Sequence, residues 1–220
     1  MTDIPVVHKL DNFFANHKPV YLKKGEVLLE PCDSIKDIFY LKSGSVKMST
    51  YSQNGEEVIL HVFRPPSYFP TMLSLGGITN RYYFQALQDV EAIQAPACSV
   101  VDFLKENLDV LLDLNIRFSK ALNGLMVRIE NGTFQKAYSK TISLFLYLSD
   151  KFGHSHEEGT IISLQLTHQD IAAWLGLRRE TVSRQIEQLQ QAGLLLNKEH
   201  HFIVPDIEKL RNALQETNNN

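Results

Sequence analysis

Apolar positions recur along this chain with two periods, and the places where the period changes mark its elements. The first eighteen residues carry an amphipathic helical pattern anchored by Phe13 and Phe14. From Pro19 the spacing shortens to that of strands. VYLKKGEVLLEP, DIFYLKSGSVKMSTYS and EEVILHVF are rich in β-branched and aromatic residues and are interrupted at Gly25, Gly44 and Asn54-Gly55, the last a strong hairpin signal. RYYFQALQ and VEAIQAP continue the series. Strands and turns in succession, with no helical pattern between them, predict a small antiparallel barrel or roll. Within it FRPPSYFPTMLSLGGITNRYY reads as a loop crossing the open end of the roll, and Cys32 and Cys98 read as core cysteines.

Ser99 is expected to cap a short helix, VVDFLKEN, and a long helical pattern begins near Leu108. In it Leu111, Asn115, Phe118, Leu122, Leu125, Ile129 and Gly132 alternate four and three residues apart, the seam of a two-stranded coiled coil. The same stripe would serve a helix packed on its own roll; the expected reading is a homodimer, with Phe118, Leu122, Leu125 and Ile129 at its centre. Leu114, Met126 and Val127 form a second set that can pack on the roll. Asn131-Gly132 weakens the end of the helix and makes a hinge over 132–137. AYSKTISLFLYLSDKF is a further helix, FGHSHEEG a solvated loop, GTIISLQL a strand and LLLNKEHHFIV a hairpin turning around 198–200. Asp206 caps a last helix, IEKLRNALQ. The expected fold is α+β, divided into a β-roll over 1–107, a dimerisation helix over 108–136 and a winged helix-turn-helix over 137–220.

The most informative stretch is THQDIAAWLGLRRETVSRQIEQLQQAG, from Thr167 to Gly193. Thr167 is placed to cap a helix whose apolar face is Ile171, Ala172 and Leu175. Gly176 can take the positive φ of a sharp turn, and Ala172 is small where a second helix must cross. After the turn Val182, Ile186 and Leu189 point inward, which leaves Arg179, Glu180, Ser183 and Arg184 on the outward face near the start of that helix. A helix-turn-helix places side chains on base edges in the major groove in this way. The contrasting reading is a plain helical hairpin with arginines facing water, and the whole set in register favours double-stranded DNA.

Composition narrows the classes. With 44% hydrophobic and 21% charged residues the chain reads as globular, and no apolar run reaches the roughly 18 residues of a membrane span. The N-terminus lacks the basic start and apolar run of a signal peptide, so a cytoplasmic protein is expected. The net charge of −3, with eight Lys/Arg against ten Asp/Glu from Ala137 onward, concentrates any affinity for DNA in a local patch of Arg178, Arg179 and Arg184, with His168 and Lys198. His154, His156, Glu157 and Glu158 have no further ligands at zinc-site spacing, so no metal is expected. No nucleophile–base set, P-loop or dinucleotide fingerprint is present, and an enzyme is not expected.

The order of roll, long helix and winged helix-turn-helix, with LTHQDIAAWLGLRRETVSRQIEQL at its most specific point, resembles the Crp/Fnr family of bacterial transcription regulators from about Tyr21 to about Val204. The resemblance implies that Arg179, Glu180 and Arg184 read bases, that Ser183 lies at the groove, and that Thr167 and Gln169 lie near phosphates, with Arg178 and Thr181 completing the interface. Arginine pairs with guanine O6/N7 and glutamate accepts from cytosine N4. The implied target is an inverted repeat with a TGTGA- or TTGA-like half-site, and an activator would also meet RNA polymerase. Gln185 stands where the family has an apolar residue.

By the same resemblance the effector site falls at Phe69, Thr71, Met72, Arg81 and Tyr83, with Leu125 and Met126 from the long helix. The cyclic-AMP pattern opens its phosphate cassette with glycine–glutamate and closes it with arginine–serine; this chain has Phe69-Pro70-Thr71-Met72 and Asn80-Arg81-Tyr82. Pro70 removes a backbone donor, and the adenine contacts fall on apolar Leu125 and Met126. Cyclic AMP is therefore not expected, and no cofactor is assigned. The segment is more similar to the 2-oxoglutarate-sensing members, whose second arginine is Ala121 here, and a haem ligand is not evident. The expectation is a homodimeric regulator with a roll that senses an unidentified small molecule. The alternatives are a member with a vestigial sensor and a ligand-binding module that docks on proteins.

Overall fold

The computed structural model of the chain describes residues 4–198 and 200–218, with 4, 131–134 and 218 described by backbone alone. Two compact units emerge, Met1–Thr50 with Leu60–Leu125, and Tyr51–Ile59 with Met126–Asn220.

In the first unit α1 (Ile4–Phe14) precedes two four-stranded antiparallel sheets. One has the order β1 (Lys18–Leu22), β8 (Val90–Pro96), β3 (Asp37–Ser43), β6 (Ser67–Phe69); the other is β2 (Val27–Leu29), β7 (Tyr83–Ala86), β4 (Val46–Tyr51), β5 (Glu57–Phe63). Strand β3 shows why the roll holds together. Successive side chains of a strand point to opposite faces. Ile38 and Tyr40 join a core with Val6, Leu10 and Phe14 of α1, Val100 and Leu104 of α3 (Ala97–Glu106), and Val110 and Leu114 of α4 (Leu108–Phe134). Phe39 and Leu41 face the other way, into a core with Val46, Phe69, Phe84 and Ala92. Both faces are buried, so the strand reads as a continuous apolar run. The two expected anchors separate their tasks: Phe14 stacks on Tyr40 with centroids 4.8 Å apart, and Phe13 on Phe103 at 4.3 Å.

Several expectations change. The presumed loop after β5 contains β6 and a short helix, α2 (Thr71–Gly76), a six-residue turn too brief to show a period. Helix α3 begins at Ala97, directly after β8, so Ser99 lies inside it; Pro96 occupies the cap position without a side-chain bond. Cys32 and Cys98 are exposed free thiols rather than core residues. Leu114 packs into the core as expected, whereas Met126 and Val127 are exposed. Helix α4 continues to Phe134 and the helical path breaks at 135–136; the side chains at Asn131 and Gly132, including the last seam position, lie outside the described residues.

In the second unit α5 (Ala137–Phe152) packs against α6 (His168–Leu175), α7 (Arg179–Gln191) and α8 (Ile207–Asn218). A third antiparallel sheet runs β11 (Leu196–Lys198), β12 (His201–Val204), β10 (Gly159–Ile162), β9 (Gly153–His156). The segment read as a solvated loop is therefore half hairpin, with His154 opposite Ile161 and His156 opposite Gly159. Its polar composition hides a strand that exists through backbone pairing. Asp206 caps α8 as expected, its Oδ1 accepting from the N–H groups of Glu208 and Lys209, both at 3.0 Å. No helix among the described residues is long and apolar enough to cross a membrane.

One buried polar residue organises the connection into β7. Asn80 Nδ2 donates to the carbonyls of Glu30 at 2.6 Å and Tyr82 at 3.0 Å, and its Oδ1 accepts from Tyr82 N–H at 3.0 Å. Replacing a bonded side chain at a buried site leaves its partners unsatisfied. Asn80→Ala should lose about 2 kcal/mol of stability, read as a lower urea midpoint with an unchanged slope.

Candidate nucleic-acid interface

The second unit builds its reading surface from local signals. Thr167 caps α6 through a reciprocal box: its Oγ1 accepts from Asp170 N–H at 3.1 Å, and Asp170 Oδ2 accepts from Thr167 N–H at 2.8 Å and from its hydroxyl at 2.6 Å. Ile171, Ala172, Ala173 and Trp174 are buried, and Gly176 ends the helix in the left-handed region at φ 63°. The Trp174 carbonyl, near that end, accepts from Arg128 Nη2 at 2.9 Å, and the same nitrogen donates to Ile59 O at 2.9 Å. The helix end is thus held by a partner far away in sequence.

Arg178 occupies the cap position before α7 in extended conformation, with no side-chain cap bond. Val182, Ile186 and Leu189 are fully buried, as their spacing predicts, and Gln185 is buried beside them. Arg178, Arg179, Glu180 and Arg184 are exposed, and Thr181 and Ser183 are half-buried. The Ser183 Oγ lies 2.8 Å from Nδ1 of His168. Thr167 and Gln169 are exposed on the neighbouring helix. Sequence reasoning missed the roles of His168 and Arg128, since neither partner lies within the local window that capping and periodicity rules use.

The residues assigned to an effector differ in exposure. Phe69 is buried at 1% exposure and stacks with Phe63 at 4.5 Å and Phe84 at 5.8 Å between centroids. Thr71 is also buried, and its hydroxyl donates to Tyr68 O at 3.2 Å. Met72 and Arg81 are exposed and Tyr83 is half-buried. Leu125 and Met126 are exposed on α4. Among the described residues no group of three or more His, Cys, Asp or Glu is placed to hold a metal.

Residues 139–213 match the Crp-like helix-turn-helix domain and residues 19–107 match the cyclic nucleotide-binding domain. The chain is 29% identical to a global nitrogen regulator of Nostoc sp. over 79% of its length and 78% of that protein. It is 24% identical to the fumarate and nitrate reduction regulatory protein of Escherichia coli, over 96% of its length and 83% of that protein. Its fold is similar to that of a CooA variant from Carboxydothermus hydrogenoformans, with a TM-score of 0.76 at 20% identity, covering 92% of this chain and 90% of that one. The chain belongs to the Crp/Fnr family of transcription regulators.

As a Crp/Fnr regulator it is a DNA-binding protein and not an enzyme, and the exposed arginines of α7 stand on its helix-turn-helix. The domain named for cyclic nucleotides coincides with the roll, whose Phe39, Phe69 and Phe84 are packed together. The Thr167 box supports this Crp/Fnr domain in a way that can be measured. Thr167→Ala should cost about 1 kcal/mol in thermal unfolding of the second unit, and Thr167→Ser should restore most of it.

Proposed function

We propose that the protein acts as a homodimer on an inverted repeat with TGTGA- or TTGA-like half-sites, and that its roll does not take cyclic AMP. The observation that carries the DNA reading is the pairing of faces on α7: Val182, Ile186 and Leu189 buried, Arg178, Arg179, Glu180 and Arg184 exposed. Arg179 and Arg184 suit guanine, through two parallel hydrogen bonds to O6 and N7, and Glu180 suits the amino group of cytosine. Thr167, Gln169 and Arg178 hold phosphates and fix register, and Thr181 borders the contact.

The dimer rests on the apolar stripe of α4. Phe118, Leu122, Leu125 and Ile129 are all exposed in the single chain, Ile129 at 70% and Leu122 at 56%. An apolar seam at four–three spacing is stable when a second helix covers it. Two reading helices then meet two half-sites about one helical turn apart. If the protein activates transcription, RNA polymerase is a further partner.

For the effector, the opening segment Phe69-Pro70-Thr71-Met72 lacks the glutamate of the nucleotide-binding pattern, and the Thr71 hydroxyl is already bonded to Tyr68 O. The likeness to global nitrogen regulators makes a small metabolite the effector to test first. The packed Phe63, Phe69 and Phe84 favour a second reading, in which the roll takes no effector and the dimer binds DNA unaided.

Binding of the purified protein to a TGTGA-type inverted repeat, against a scrambled duplex at fixed salt, tests the main reading. Arg179→Ala and Glu180→Ala should each lower the discrimination by about 1–3 kcal/mol; unchanged preference in both would refute the assignment. Leu122→Glu combined with Ile129→Glu should sediment as a monomer and lose affinity for the full repeat. Adding cyclic AMP should change nothing. Adding 2-oxoglutarate or a metabolite extract separates a sensing roll, which raises affinity, from an effector-free one.

A further inference from the structure

Serine is an ambiguous reader of bases. Its hydroxyl can donate to one base edge or accept from another, so a freely rotating serine contributes affinity with little choice. Ser183 is not free. It sits on the α7 face between Glu180 and Arg184, half-buried, with Oγ 2.8 Å from His168 Nδ1. The imidazole is itself held. It opens α6 directly after the Thr167 cap, and its ring stacks on Phe202 of β12, with centroids 6.4 Å apart and planes 25° apart. Phe202 is fully buried and packs edge-on against Phe145 of α5 at 5.1 Å. Burial, and then the nearby Arg179 cation, hold the His168 pKa below its usual value, which favours the neutral ring.

A neutral imidazole nitrogen is either a donor or an acceptor. If Nδ1 accepts the hydroxyl hydrogen, Ser183 has only lone pairs to offer the groove. If Nδ1 donates, Ser183 keeps its hydrogen to give. Only the accepting tautomer withdraws a character: with Nδ1 accepting, no hydrogen is left for a base, whereas with Nδ1 donating the hydroxyl keeps its hydrogen and one lone pair.

We infer that His168 is a positioning residue for base reading: its Nδ1 takes the Ser183 hydroxyl hydrogen and leaves only lone pairs for the groove, which turns an indifferent contact into one that selects a base edge with a hydrogen to give. The base preference at that half-site position belongs to the His168–Ser183 pair rather than to Ser183 alone. The inference rests on the proposal that this face of α7 reads bases, and it adds a residue on the neighbouring helix that touches no base itself.

The test measures affinities of the full-length protein for a panel of inverted repeats carrying each of the four base pairs at every half-site position. Ser183→Ala should flatten one position by about fivefold, the scale of one hydrogen bond. His168→Phe keeps a ring against Phe202 and removes Nδ1, and it should flatten the same position as much. The double variant should lose no more than Ser183→Ala. His168→Asn, whose amide falls near the place of Nδ1, should keep the preference. His168→Gln, whose amide reaches the place of Nε2 instead, should lose it, and this pair decides the matter even if the phenylalanine variant folds poorly. Full preference in His168→Gln, or single effects that multiply in the double variant, would overturn the inference. A Ser183→Ala variant with unchanged preference everywhere, alongside an Arg179→Ala variant that loses it, overturns the pair and leaves the base-reading face intact. Wild-type protein indifferent to the entire panel overturns the base reading and this inference together.

Discussion

Burial of Val182, Ile186 and Leu189 sets the rotation of α7, and that rotation decides what the protein offers to DNA. Each fully buried aliphatic side chain is worth about 1.5–3 kcal/mol relative to water. Turning the helix by one residue would expose those three and turn Ser183, Glu187 and Gln190, or Thr181, Gln185 and Gln188, toward the core. The constraint is therefore steep, and it converts a hydrophobic pattern into a fixed presentation of Arg179, Glu180 and Arg184. Ala172 and Gly176 make it attainable: the first is a small buried side chain in α6, and the second supplies the left-handed turn at φ 63°.

The same logic runs through the roll in a different geometry. Strand β3 buries Ile38 and Tyr40 among helices and Phe39 and Leu41 among strands, so one segment joins two cores. Any shift of register by one residue would exchange the two sets. Aromatic residues on both sides make such an exchange costly, because rings of different size and hydrogen-bonding need cannot swap places. Tyr40 illustrates this: its hydroxyl donates to Asp11 of α1 at 2.9 Å, a contact Phe39 has no atom to make.

How much was legible follows from the range of each interaction. The helix-turn-helix was readable because its determinants are local: Thr167 and Asp170 are three residues apart, Gly176 acts through its own φ, and the buried face repeats within two turns. The roll was readable because its strands alternate or run apolar between clear turns. What escaped depends on partners far along the chain. Asn80 is defined by Glu30, fifty residues away, and Ser183 by His168, fifteen residues away across a turn. The exposed thiols of Cys32 and Cys98 depend on which neighbours surround them, which composition does not encode. Strand β9 escaped because its side chains are almost entirely exposed, so no hydrophobic alternation announces it. At the effector end, the aromatic stack around Phe69 and the Thr71 bond to Tyr68 O join residues that no local pattern links.

The net charge of −3 turns from an objection into a design constraint once Glu180 is considered. A carboxylate on a face that approaches phosphates is repelled by every duplex, and bringing it into the groove also strips its water. Only a base edge with a hydrogen to give, such as the amino group of cytosine, compensates for both. On the proposed reading, Glu180 would therefore penalise wrong sequences more than it rewards the right one. Three arginines around it keep the encounter attractive, and a chain with no basic excess elsewhere gains little from contacts that any duplex could satisfy. Weak general attraction combined with an acidic reader leaves affinity concentrated in the matching site. In the proposed dimer a second reading head would square that preference, because both half-sites would have to satisfy their own carboxylate.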